Sequence, residues 1–369
     1  MLIVGLAASI KIALANALLG LAALLWLVAV ARGSARRPHA AILVPIAAYA
    51  IVSVLSAVFS ADPRHSITEL ADLLTLAIVP MTVSLLDRKR WEQLLRLIAG
   101  VLVISAIMGL VQFALDGDPL QNRIRGLATH YMTFSGWTLV VTLLLLGDVF
   151  LASDRRRLLW TLPVAALGVS TLLLGLTRGA WIGLATGTLL AVAAGRPRAL
   201  ILLPLVASLL YLTLPEPVLK RAATTFELRD TATRERLEMF GSGIAMAGDN
   251  PILGLGPGLV QPAYTDYRRG GTQAKIPHLH NNVIQITAER GLAGLLTYLA
   301  VLCVFGLHVW RALQAPQTVT RPAIIGCLMA VAGVTTAGFF EYNWGDAEVW
   351  IVTLVSLSAP FALAPRKAA

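Results

Sequence analysis

Apolar runs of about twenty residues recur along nearly the whole chain, each closed by a short polar or basic stretch. That spacing predicts a bundle of membrane-crossing helices, because a helix needs about 20 mostly apolar residues to traverse a hydrocarbon core. The runs are Ala40 to Phe59, Ile67 to Leu86, Leu97 to Leu115, Met132 to Ala152, Leu158 to Leu174, Gly179 to Ala194, Leu200 to Leu212, Leu292 to Trp310, Ala323 to Phe340 and Val349 to Leu363. The first stretch, Met1 to Ala31, would make a helix about 46 Å long at 1.5 Å per residue, too long for a core of about 30 Å. It also carries Lys11 in mid-run. A tight hairpin of two short helices is the preferred reading there, giving about twelve spans in all. No basic region precedes this stretch, which disfavours a cleaved signal peptide.

Composition sharpens the picture. A chain of 369 residues that is 57% hydrophobic and 14% charged, with a mean hydropathy of +0.75, cannot form a soluble globule, since soluble chains carry roughly a quarter charged residues. The formal charge of +10 is spread as short clusters between apolar runs. That excludes the single basic stripe of a nucleic-acid binder. Cys303 and Cys327 both fall inside apolar runs and read as lone buried thiols, with no disulfide framework or metal site implied.

The basic clusters also set the orientation, because Lys and Arg in short loops stay on the cytoplasmic side. Every second loop is basic: Arg32/Arg36/Arg37, Arg88/Lys89/Arg90, Arg155/Arg156/Arg157, Arg196/Arg198, Arg311/Arg321 and the tail Arg366/Lys367. The expectation is therefore a single integral domain over 1–369 with a cytoplasmic C-terminus. The opposite face holds short loops and one long segment, roughly residues 215–280, the only polar region large enough for a structured cap. Its basic and acidic residues nearly balance, so any anion site on it must be local.

Several arginines sit at boundaries of that outer face: Arg123, Arg125, Arg178, Arg234, Arg236 and Arg290. The planar guanidinium fork suits phosphate oxygens bidentately. Each one alone reads equally well as a snorkelling boundary residue or as an ion-pair partner of Glu235 or Glu238. Only their shared sidedness favours a phosphate or pyrophosphate partner. Within the long segment, Thr231 to Ala247 predicts an amphipathic helix with Leu237, Phe240 and Ile244 along one face, lying on the membrane surface and carrying Arg234 or Arg236 towards lipid phosphates. The run Leu253-Gly254-Leu255-Gly256-Pro257-Gly258 lacks the flanking elements and the Lys of a phosphate-binding loop. A packed turn is the better reading.

The segment His278-Leu279-His280-Asn281-Asn282 leads into an apolar helix carrying Gln285, Glu289, Arg290, Gly291 and Gly294. Asn282, Gln285 and Glu289, at i, i+3 and i+7, form one polar stripe, which must face protein or a wet cavity. Gly291 and Gly294 would let a neighbouring helix approach closely. His280 falls at the helix start near the water boundary, where an imidazole exchanges protons around neutral pH. The alternative is a cap or headgroup contact.

These residues resemble the bacterial O-antigen ligase family of polytopic membrane enzymes. That family carries a histidine and a small polar residue, then nine residues, then a glycine and a second small residue three further on. His280-Asn281 followed by Gly291-Leu292-Ala293-Gly294 fits it. Thr177-Arg178-Gly179-Ala180-Trp181 is similar to the family's short outer turn with arginine and aromatic. Arg236-Leu237-Glu238-Met239-Phe240, running on to Asn250-Pro251 and Gly254 to Gly256, is similar to its arginine-led amphipathic stretch. Phe240 stands where many relatives have tryptophan, and Arg234 competes with Arg236 for one role.

The resemblance implies an all-α polytopic membrane protein of GT-C type with a large periplasmic loop. It further implies an inner-membrane glycosyltransferase that moves a glycan from undecaprenyl pyrophosphate to the lipid A-core oligosaccharide, with inversion and without metal or cofactor. His280, Arg178 and Arg236 are then the expected catalytic residues. Contacts with the two lipid-linked substrates fall to Arg234, Arg123, Arg125, His278, Asn281, Glu289 and Arg290, Glu289 either orienting His280 or pairing with Arg290. An O-antigen polymerase or a protein O-oligosaccharyltransferase would use nearly the same residues. A lipid-linked glycan transporter or flippase would instead place charged or broken helices near the bilayer midplane.

Overall fold

The computed structural model describes residues 2–115, 122–151, 154–195, 212, 214–223, 231–268, 276–315 and 319–364, side chains of 2–15 and 231–232 excepted. Every regular element among them is helical: α1 (Leu2–Ala31), α2 (Leu43–Val58), α3 (Pro63–Glu69), which runs through a 3-10 stretch (Leu70–Ala77) into α4 (Ile78–Leu85), α5 (Arg88–Leu115), α6 (Tyr131–Leu151), α7 (Arg155–Leu174), α8 (Arg178–Gly195), α9 (Glu216–Ala223), α10 (Thr231–Asp249), α11 (Val260–Tyr267), α12 (Asn282–Gln314), α13 (Arg321–Ala337) and α14 (Ala347–Leu363). Among the described residues, five helical runs are long and apolar enough to cross a membrane, and five shorter apolar helices accompany them. The expected span over 200–212 lies almost wholly outside the described residues.

The first stretch departs from the expected hairpin. It is one continuous helix, α1, because its Ala and Leu residues are strong helix formers and no Pro interrupts them. A helix longer than the hydrocarbon core is accommodated by tilting.

The core forms around α6, which packs against α13, α7, α8 and α14. Small residues allow the closest crossings. Gly147 of α6 lies against the backbone of Gly326 in α13, and Gly183 of α8 against Gly333, a mode of approach that membrane helices favour. On the outside, large apolar side chains are exposed along α5 (Leu97, Ile104, Val111), α7 (Leu159, Leu162) and α12 (Leu296, Leu299, Leu307). A surface this apolar needs lipid around it. Cys327 is buried, but Cys303 faces outward from α12, a correction to the expectation of two buried thiols.

α12 is not one straight helix. Gly291 has φ 63° and ψ −165° and divides it. The turn after α10 fills the break: Leu292 N donates to Pro251 O (2.8 Å), Leu255 N to Ala288 O (2.8 Å) and Gly256 N to Glu289 O (2.9 Å). Gly291 thus serves the close approach of a turn, not of a helix as the pattern suggested, and the Gly-rich run is a packed turn. Around it, α10, α11 and the start of α12 share a small core of Met239, Met246, Val260, Tyr264, Ile276, Leu279, Ile284 and Ala288. That core fixes α10, α11 and the segment leading into α12 to one end of the bundle.

Candidate active site

Several helices begin at that end. The N-termini of α6, α8 and α12 meet there beside α10, and each points the positive end of its dipole into the same region, a setting that favours anions. Between them lies a cavity of about 230 Å³ lined by Arg123, Arg178, Arg221, Arg236 and His280 together with Leu237, Phe240 and Phe340. It combines guanidinium groups with an apolar wall.

Arg178 opens α8 and is nearly buried, its Nε donating to Arg221 O (3.3 Å). Just before it, Leu176 has φ 53°, and His280 has φ 49°. Left-handed backbone at non-glycine residues costs on the order of 1–3 kcal/mol each and persists where the surroundings impose it, commonly at functional sites. Asn281 caps α12 by accepting from Ile284 N (3.1 Å), while its Nδ2 donates to Phe339 O (3.1 Å). The two bonds fix the backbone that presents His280.

His280 Nδ1 lies 2.9 Å from Glu341 Oε2, and His278 Nε2 lies 3.2 Å from Glu341 Oε1. Tyr342 N also donates to Glu341 (3.1 Å). Burial on its own would raise the Glu341 carboxyl, but the bond from His280, the two imidazoles and the Tyr342 N–H outweigh it and hold the group below the ordinary carboxylate value. Burial pushes His278 down to about 4, Glu341 only partly opposing it. An ionised carboxylate only accepts hydrogen bonds, so the His280 nitrogen that faces it, Nδ1, is the donor of this contact.

A second cavity of about 650 Å³ adjoins the first, with His280, Glu341, Arg236 and Met132 in the wall between them. Tyr131, Tyr342, His130, Glu235 and Asp346 also line it. Burial holds the His130 imidazole below and the Asp346 carboxyl above their ordinary values.

The structure brings together Arg178, Arg236, His280, Arg123 and Asn281, and puts His278 in the adjoining cavity. Arg234 is exposed one side-chain direction away from Arg236 and lines neither cavity, as does Arg125, which is also exposed. Glu289 and Arg290 are buried and pair with each other. Glu289 accepts from Gln285 Nε2 (2.8 Å) and Gly258 N (3.2 Å), and Arg290 Nε donates to Ser53 Oγ (3.0 Å). The polar stripe of α12 therefore faces protein and holds the packed turn. Glu289 orients no histidine. Sequence reasoning missed Glu341 and Arg221, and the only signal was an acidic residue in a short outer loop and a cation in the long one.

Residues 163–299 match the family model described as O-Antigen ligase. Over this segment the chain is similar to the O-antigen ligase family. The family comprises membrane enzymes acting on glycans, and the matched segment contains Arg178, Arg236, His278 and His280. No curated protein matches the chain. A solved chain from a peptidoglycan synthase complex, studied for the coordination of polymerization and crosslinking, resembles it with a TM-score of 0.48 at 16% identity, over 87% of this chain and 96% of that one.

Proposed function

We propose that this protein is an O-antigen ligase of the bacterial inner membrane, transferring a glycan from undecaprenyl pyrophosphate to the lipid A-core oligosaccharide on the periplasmic side. One observation carries the reading: Arg178, Arg236 and His280, drawn from three separate motifs, line a single cavity. Arg178 and Arg236 bind the pyrophosphate, where fixed donors stabilise the charge developing on the departing oxygen. Arg236 supports this directly, since its buried Nε has no hydrogen-bond partner among the described residues. Leu237, Phe240 and Phe340 provide an apolar wall for the start of the polyprenyl chain.

The acceptor sugar occupies the second cavity, where tyrosine rings and carboxylates suit a polyol. Its hydroxyl oxygen attacks the anomeric carbon as the bond to the pyrophosphate oxygen breaks. His280 Nε2 takes the hydroxyl proton, the lipid pyrophosphate leaves with the bonding electrons, and the anomeric carbon inverts. Glu341 holds the imidazole in the required tautomer. General-base assistance contributes about 10² to 10⁴ in rate, comparable with the contribution of a charge-stabilising donor.

Complementation tests the reading. In a strain lacking its own ligase, the wild-type chain should restore lipopolysaccharide decoration, while His280→Ala and Arg178→Ala should not. Full decoration by both variants would sink the mechanism. Loss of long chains with single repeats still attached to lipid A-core would point to a polymerase.

A further inference from the structure

His278, His280 and Glu341 offer more than hydrogen bonds to one another. One donor atom from each lies within 4.8 Å of the other two, and the imidazole-to-carboxylate separations are 3.2 and 2.9 Å. Ligands held about 2.0–2.2 Å from one zinc-like ion stand about 3.0–3.4 Å apart at tetrahedral or octahedral edges, so an ion fits here with small side-chain rotations. Two imidazoles and a carboxylate are a donor set that divalent first-row transition cations take readily. The cluster borders the 650 Å³ cavity, through which an ion could enter and water could complete its coordination. The wall of that cavity also carries Glu235 and Asp346 beside Arg236, which leaves it net acidic.

We propose that His278 Nε2, His280 Nδ1 and the Glu341 carboxylate form an inhibitory binding site for a zinc-type divalent cation. An ion on His280 Nδ1 displaces the proton of that nitrogen, so the neutral ring carries its proton on Nε2 and has no lone pair to receive another. The cation also takes the carboxylate that orients the ring. Cation binding follows from the cluster alone. Inhibition rests on the reading of His280 as the base.

The test uses the full chain in lipid nanodiscs, stripped with chelator and titrated with zinc chloride. One zinc ion per chain should bind, and X-ray absorption of the zinc-loaded wild type should report two imidazole ligands. Glu341→Gln and His278→Ala should each weaken binding by more than about 100-fold, beyond the loss of an outer partner, whereas His39→Ala and His65→Ala should not alter it. Absence of saturable uptake, fewer than two imidazoles, or unchanged binding in His278→Ala overturns the site. Transfer should proceed in chelator and fall as zinc saturates. Loss of transfer in chelator overturns the inhibitory role, and saturation without inhibition keeps the site while overturning the base assignment of His280.

Discussion

Glu341 and His280, 61 positions apart in sequence, meet through a 2.9 Å contact between carboxylate Oε2 and imidazole Nδ1. The contact joins the turn after α13 to the residue before the α12 cap. On the reading of His280 as the base, it decides which ring nitrogen is free to accept a proton. Glu341→Gln keeps the size of the side chain but lets its amide NH₂ face Nδ1, which favours the wrong tautomer. Turnover in a reconstituted transfer assay should fall about 10²-fold or more, with KM for the lipid donor little changed. A KM effect without a turnover effect would mean that Glu341 serves binding instead.

The residues His280, Arg178 and Arg236 were legible because each lies in a local pattern: a motif at fixed spacing, a two-span turn, an amphipathic helix. Glu341 was not, since nothing beside it in sequence marks it and only the packing of α13 against α6 and α8 brings its turn to the site. The break at Gly291 was also hidden. Its neighbours keep helical periodicity on both sides, and the positive φ arises from a turn some forty residues earlier in the chain. Runs of about twenty apolar residues fall on helices among the described residues, whereas Met1 to Ala31 forms one helix from Leu2 on, because its length alone encodes no turn.

Arg234 and Arg236 separate on position. Two residues apart on a helix, they point in different directions, and only Arg236 lines the cavities. Arg236→Ala should cost about 10² to 10³ in turnover, the usual loss for one charge-stabilising donor. Arg234→Ala should stay within about threefold of wild type. The same transfer assay checks both, and a reversed order would assign the pyrophosphate contact to Arg234.

Arg290 and Glu289 should behave as structure. Removing one partner of a buried pair strands the other charge and typically costs about 3–5 kcal/mol. Arg290→Ala should therefore lower the thermal midpoint and the folded yield, while the folded fraction keeps the wild-type KM. Gly291→Ala should act likewise, because its positive φ and the nearby Ile252 carbonyl leave no room for a Cβ. Thermal unfolding in nanodiscs alongside transfer kinetics distinguishes the two effects, and a raised KM at unchanged stability would return Arg290 to the substrate.

Acidification should loosen the site end of the bundle. Burial holds the His278 imidazole at about 4 against an ordinary 6.5, so between those values the unfolded chain binds a proton that the folded chain refuses. Stability from this group is complete above about 6.5 and falls as the pH drops towards 4, by at most about 3 kcal/mol. Glu341 works in the same direction, because a carboxyl held below its ordinary value stabilises above that value and loses its contribution as pH falls through the folded one. The thermal midpoint should thus decline from pH 7 to pH 4.5. His278→Gln, which cannot be protonated, should flatten much of the slope between pH 6.5 and 5 and leave the part due to Glu341. An identical slope in the variant would show that His278 takes up its proton as readily in the folded chain as in the unfolded one.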